Sequence, residues 1–130
     1  MIVDTSFIID FMNGQERAIA KARVLEERGD IFVVTTPTIF ELWSGLARSS
    51  KPEEEKRKLF TILNEQVVWD FNRGSAEEAG TIEGSLIKKG LTIDPEDCMI
   101  AGIAKSNGET LLTGNPKHFI RIEGLIVDTY

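Results

Sequence analysis

Three carboxylates in this chain occupy settings that acids seldom choose. Asp4 ends the apolar run Met1-Ile2-Val3, Glu41 lies inside Ile39-Phe40-Glu41-Leu42-Trp43, and Asp97 precedes Met99-Ile100-Ala101-Gly102-Ile103-Ala104. Desolvating a charge is costly unless a partner compensates it, and no Lys or Arg neighbours Asp4 or Asp97 in sequence. Three carboxylates gathered about 6 Å apart would repel by a few kcal/mol per pair at an effective dielectric near 20. Hard divalent cations that favour oxygen ligands, Mg²⁺ or Mn²⁺, are the natural compensating charge. Each acid alone also has an ordinary reading: Asp4 as a strand-end or capping residue, Glu41 as a surface or helix-dipole partner, Asp97 as an N-terminal cap. The three together are more specific, and they predict a metal-dependent enzyme with Asp4, Glu41 and Asp97 as metal ligands and catalytic groups.

Other chemistries are poorly supplied. With His118 the only histidine, a zinc site built on several imidazoles is excluded. A Ser-His-Asp triad would also have to rest on His118, and there is no nucleophile elbow and no Gly-rich phosphate loop. Cys98 is the only cysteine, which excludes an internal disulfide and fits a reducing cytoplasm; it reads as a small packing residue. The net charge of −6 argues against a general electrostatic nucleic-acid binder but not against a nuclease, whose acidic centre would account for part of it. Contacts to nucleic acid would then fall to local cations: Arg48, Lys51, Arg73, Lys88, Lys89, Lys117 and Arg121. No apolar run approaches the ~20 residues that span a bilayer, and Met1-Ile2-Val3-Asp4 has no basic n-region, so neither membrane segment nor signal peptide is expected.

The elements that must position these acids follow from the apolar patterning. Ile2-Val3 reads as a buried strand, followed by a helix over Phe7–Met12 capped by Thr5 or Ser6. Helical spacing of Ala18, Ala22 and Leu25 predicts a helix over Glu16–Arg28, closed by Gly29. Ile31–Thr35 is a β-branched strand, and a helix to about Arg48 follows, with Thr36 as its cap and Pro37 at its first helical position. Ile39, Leu42, Trp43 and Leu46 form its apolar stripe, while Glu41 shares a face with the small or polar Thr38, Ser44, Gly45 and Arg48. Further helices are expected over Glu53–Asn64, Ala76–Lys89 with Ser75 as cap, and Asp97–Ser106. On the last, Asp97 shares an inward face with Ile100, Ala101 and Ala104, and Asp94 is the better candidate for the cap. Strands are expected at Val67–Trp69, Thr110–Thr113 and Ile126-Val127. Short apolar strands alternating with helices predict one α/β domain with a mainly parallel sheet covered on both faces. Sites in such sheets form where strands end and helices begin, which is where Asp4 and Asn115 fall.

The motifs Ile2-Val3-Asp4-Thr5-Ser6, Pro37-Thr38-Ile39-Phe40-Glu41-Leu42, Asp97–Ala104, Leu111-Leu112-Thr113-Gly114-Asn115-Pro116-Lys117-His118-Phe119 and Ile122-Glu123-Gly124-Leu125 carry a resemblance. In order and spacing, over essentially residues 1–130, the chain resembles a PIN domain, and closely the VapC-type toxins of prokaryotic toxin–antitoxin pairs. The resemblance implies a three-layer α/β/α fold and a Mg²⁺- or Mn²⁺-dependent endoribonuclease whose acids map onto Asp4, Glu41 and Asp97. It also implies a homodimer and a VapB-type antitoxin whose C-terminal segment enters the acidic groove, where an Arg could pair with the carboxylates. Many members carry a fourth acid where this chain has His118. Asp94, Glu96 or Asn115 could compensate, and Thr5, Ser6 and Thr113 would support the acids or touch phosphate. Phe7, Ile8, Phe11, Trp43 and Leu46 are either antitoxin contacts or ordinary core. Two other readings stay open: a PIN-like domain that binds RNA or a partner without cutting, and a phosphoacceptor receiver module. The receiver fits less well, because Asp4 is followed by Thr5-Ser6-Phe7 rather than by a second acid, and Thr113-Gly114-Asn115 lacks its lysine.

Overall fold

The computed structural model describes residues 1–130. Five short strands, β1 (Ile2–Val3), β2 (Val33–Thr35), β3 (Val67–Trp69), β4 (Leu111–Leu112) and β5 (Val127–Asp128), form one sheet in the order β3-β2-β1-β4-β5. All four pairings are parallel, with Ile2 opposite both Val33 and Leu111. Alternation of side chains along a strand sends residues two apart to the same face, and here it splits the core in two. Ile2, Val33 and Leu111 face α5 (Arg73–Lys88) and α6 (Pro95–Ser106), packing on Ala79, Ile82, Leu86, Ile100 and Ile103. Val3, Val34 and Leu112 face the opposite layer, α1 (Thr5–Met12), α2 (Glu16–Glu27), α3 (Thr36–Ala47) and α4 (Pro52–Leu63). This is the expected three-layer α/β/α arrangement.

The middle strand is β1, with β2 on one side and β4 on the other. The chain therefore reverses its direction of winding at β1, and in open parallel sheets the crevice beyond the carboxyl ends of strands at such a point is where ligands bind. Asp4, Thr35 and Thr113 are the residues that end β1, β2 and β4 or directly follow them, and all three are buried.

Several boundaries differ from expectation, for identifiable reasons. Asp4 itself caps α1, its side chain accepting from the Thr5 backbone N–H, so Thr5 and Ser6 lie inside the helix. Thr35, not Thr36, caps α3; the Thr36 hydroxyl instead accepts from the Phe71 N–H at 3.0 Å. Asn72, not Ser75, caps α5, the two forming a reciprocal capping box. Asp94 holds the cap position of α6 but makes no capping hydrogen bond. Ile31, two-thirds exposed, lies outside β2 despite its β-branched side chain. A short helix, α7 (Pro116–Phe119), occupies what reads as loop after β4. Phe7, Ile8 and Leu46 are core, and Phe11 and Trp43 pack against that core half-buried.

The close contact of α5 with α6 rests on Gly102. A Cβ there would lie 2.6 Å from the Ser75 carbonyl oxygen and 2.9 Å from the Ala79 backbone nitrogen. Only the absence of a side chain lets these helices approach so closely.

Candidate active site

Asp4 is 4% exposed and is held by three donors. Its Oδ1 accepts from the Thr5 N–H at 2.8 Å, and its Oδ2 accepts from the Ser6 hydroxyl at 2.9 Å and the Thr113 hydroxyl at 2.7 Å. The supporting groups are themselves fixed. Ser6 Oγ accepts from the Gly114 N–H at 3.0 Å, and Thr113 Oγ1 accepts from the Asn115 N–H at 3.0 Å. The loop after β4 and the first turn of α1 are thus sewn together through one carboxylate. Asn115 takes part by its backbone; its side chain is exposed.

Glu41 projects from the second turn of α3 and is held by Thr5, whose hydroxyl donates to Oε1 at 2.7 Å. Thr5 Oγ1 also lies 3.1 Å from Thr38 Oγ1, which lies 3.3 Å from Thr35 Oγ1. Thr35 and Thr5 both direct their hydroxyls at Thr38 Oγ1, and Thr5, which has one proton, shares it between Thr38 and the Glu41 carboxylate. Thr35 and Thr38 are fully buried. Neither stands out in the sequence as a site residue. The available signal was a Thr-x-x-Thr pair astride a strand end, three residues before Glu41.

Asp97, buried in the first turn of α6 beside Cys98 and Ile100, faces His118, with Nδ1 3.0 Å from Asp97 Oδ2. The histidine is therefore a partner of the third acid, which sequence reasoning registered only as a missing carboxylate. Cys98 is buried as expected, and burial pushes its thiol up to about 11, which keeps it a packing residue.

The electrostatics tie the three acids together. Burial raises Glu41 above its ordinary value, the Thr5 hydrogen bond opposes this, and the charges of Asp4, Asp97 and Glu96 add to the rise. Burial also raises Asp97, with Asp4 adding to it, His118 opposing and Asp94 reinforcing. Asp94 and Glu96 therefore act on the site through their charge. The recorded ion pairs give Asp97 a histidine, and give Asp4 and Glu41 no cation at all. A set of hard oxygen donors whose charges oppose one another fits a divalent cation by donor type and by charge. No three Asp, Glu, His or Cys side chains stand in mutual ligand geometry. An ion held here would thus require the acids to turn from their hydroxyl partners or to bind partly through water.

Tyr130 closes one side of the site. Its hydroxyl donates to Asp10 Oδ2 at 2.6 Å, its ring packs edge-on against Phe7, and the Thr129 hydroxyl donates to the Thr113 carbonyl at 2.8 Å. No helix is long and apolar enough to cross a membrane.

The chain is similar to known proteins over most of its length. Ribonuclease VapC2 of Rickettsia felis is 27% identical over 129 residues, covering 99% of this chain and 96% of the relative. The tRNA(fMet)-specific endonuclease VapC of Shigella flexneri is 32% identical over 92 residues, 71% of this chain and 70% of the relative. Among solved structures, VapBC2 from Rickettsia felis bound to a DNA fragment from its promoter superposes with a TM-score of 0.91 at 26% identity, covering 99% of this chain and 97% of that one. Residues 1–125 match the PIN domain family, and with that match joined to full-length relatives and a shared sheet and helix order, the chain belongs to the PIN-domain family and stands with its VapC members.

Proposed function

We propose that this chain is a metal-dependent endoribonuclease, the toxin of a VapBC-type toxin–antitoxin pair, with Asp4, Glu41 and Asp97 as its catalytic, metal-holding acids. The reading is supported by Asp4, buried at the carboxyl end of the central strand, whose charge reaches both Glu41 and Asp97 and adds to the burial that pushes those two toward their protonated forms. The VapC ribonucleases of Rickettsia and Shigella support the substrate class.

Mg²⁺ or Mn²⁺ bound by these acids would acidify a water molecule and stabilise charge on the phosphoryl oxygens. The chain's own residues do the positioning. Asp4 is locked by Thr5, Ser6 and Thr113, so its two oxygens keep one orientation. Glu41, held by the Thr5 hydroxyl and partly buried, would take up the proton of a water that attacks phosphorus, while the P–O ester bond breaks and the departing oxygen takes a proton from solvent water. His118, exposed and fixed on Asp97 at 3.0 Å, borders the place of the scissile phosphate and offers it a ring nitrogen. Asp94 and Glu96 add their charge to this centre, and Asn115 supports it through its backbone N–H on Thr113. The protein acts in the cytoplasm as a homodimer and is silenced by a VapB-type antitoxin that places a basic side chain in the acid-lined cleft.

The deciding experiment is cleavage of RNA by the purified chain with Mg²⁺ or Mn²⁺ and with EDTA. The expected outcome is cutting that EDTA abolishes and that Asp4→Asn lacks while keeping the wild-type circular dichroism spectrum. A folded wild type that binds RNA but leaves it uncut with either metal would favour the non-cleaving reading.

A further inference from the structure

Arg121 forms the wall between two open grooves. The first, about 370 Å³, is the rim of the candidate site and contains Asp94, Asp97, Lys117 and His118. The second, about 420 Å³, runs beside α5 and α6, with Lys89, Lys105 and Glu123 around an apolar floor of Ile82, Leu86 and Ile122. Arg121 lines both. Its guanidinium is fixed by carbonyls, not acids: Nη2 donates to the Thr92 oxygen, and Nε to the His118 oxygen at 3.4 Å. Its positive charge is therefore positioned without being neutralised.

The other cations differ in how freely they present their charge. Lys117 is exposed and enters no ion pair. Lys89 meets Glu123 at 3.5 Å, with side chains 55% and 89% exposed, a pairing that solvent leaves weak. Lys105 is more firmly engaged, 3.1 Å from Glu78. On a chain of net charge −6, these residues make a cationic path that starts beside Asp97 and leads away from it.

An acidic centre that cuts a polyanion has a problem of approach, since its own field repels the substrate. Cations just outside the centre solve it by holding phosphates on either side of the scissile one. We propose that single-stranded RNA leaves the cleft over Lys117 and Arg121 and continues along the Lys89 groove, its phosphates on the cations. The inference rests on the ribonuclease reading for the place of the cut. The path itself is a binding claim that can be tested without cleavage. A single strand is favoured over a duplex because its flexible backbone can follow cations that line two successive grooves joined at Arg121.

The test is fluorescence anisotropy with a labelled single-stranded oligoribonucleotide in Mg²⁺, using Asp4→Asn protein to prevent cutting. Lys89 and Lys117 are both exposed, so Lys89→Gln with Lys117→Gln should fold normally. The pair is expected to weaken binding about tenfold and to flatten the salt dependence of log Kd by roughly 1.4, two phosphate contacts at about 0.7 each. Glu123→Gln, which frees Lys89, should tighten binding. A Kd and salt slope indifferent to both lysines overturn the path, as would an equal loss of affinity for poly-glutamate, which would assign the groove to acidic protein segments. In the wild type, RNA bound along this path but never cut retires the nuclease reading and keeps the path; RNA cut with a kcat/KM blind to both lysines does the reverse.

Discussion

Glu41 is uncomfortable as an anion, because burial and the charges of Asp4 and Asp97 all oppose its ionisation. The folded chain therefore holds the Glu41 proton to higher pH than the unfolded chain does. Stability contributed by this group is greatest below the ordinary glutamate range and falls as pH climbs through the raised one. Glu41→Gln removes that fall, so its melting temperature should exceed the wild type's at pH 7 and converge with it near pH 4, while cleavage is lost. Thermal scans at the two pH values check this. Thr113 behaves oppositely. Its hydroxyl is fully buried and donates to the buried Asp4, and Thr113→Val deletes a hydrogen bond to a charged acceptor. A loss of about 1.5–3 kcal/mol in urea unfolding is expected, and an unchanged midpoint would contradict the bond's importance. Apolar flanks made Asp4, Glu41 and Asp97 stand out in the sequence. The hydroxyls of Thr35 and Thr38 did not, because a buried threonine in a strand end looks like any β-branched core residue until a partner from another element appears.

The elements were legible where apolar periodicity and a stop residue agreed, as in α2, whose Ala18, Ala22 and Leu25 are all buried before Gly29. The inward face of α6 was equally clear. Caps were less so, since Thr35 and Thr36, or Asn72 and Ser75, are chemically equivalent candidates one turn or less apart, and only the direction of the incoming strand selects between them. The α7 helix was hidden because Pro116-Lys117-His118-Phe119 is too short to show a period. The α5–α6 contact at Gly102 gives a prediction at this scale. Gly102→Ala would force a methyl to within 2.6 Å of the Ser75 carbonyl. The ordinary helical gain of alanine over glycine is then outweighed by overpacking, and a net loss of roughly 1–3 kcal/mol is expected in denaturant unfolding.

For the whole molecule, divalent metal should be a folding ligand as well as a cofactor. Binding only the native state, Mg²⁺ should raise the melting temperature of the wild type with the logarithm of its concentration once that exceeds Kd, and the rise should disappear in Asp4→Asn; calorimetry of both proteins with and without EDTA tests it. The sheet order has a further consequence, in the order of events as the chain is made. The strand carrying Asp4 is central, and its neighbour β4 lies at residues 111–112. Thr113, which completes the cradle of Asp4, follows directly. Local helices can form as the chain emerges, but the pairing of Ile2 with Leu111 must close a loop containing most of the sequence, and such closure comes late. A nascent chain therefore has no assembled centre until Leu111 to Thr113 have been made and have reached β1, however early its amino-terminal helices form.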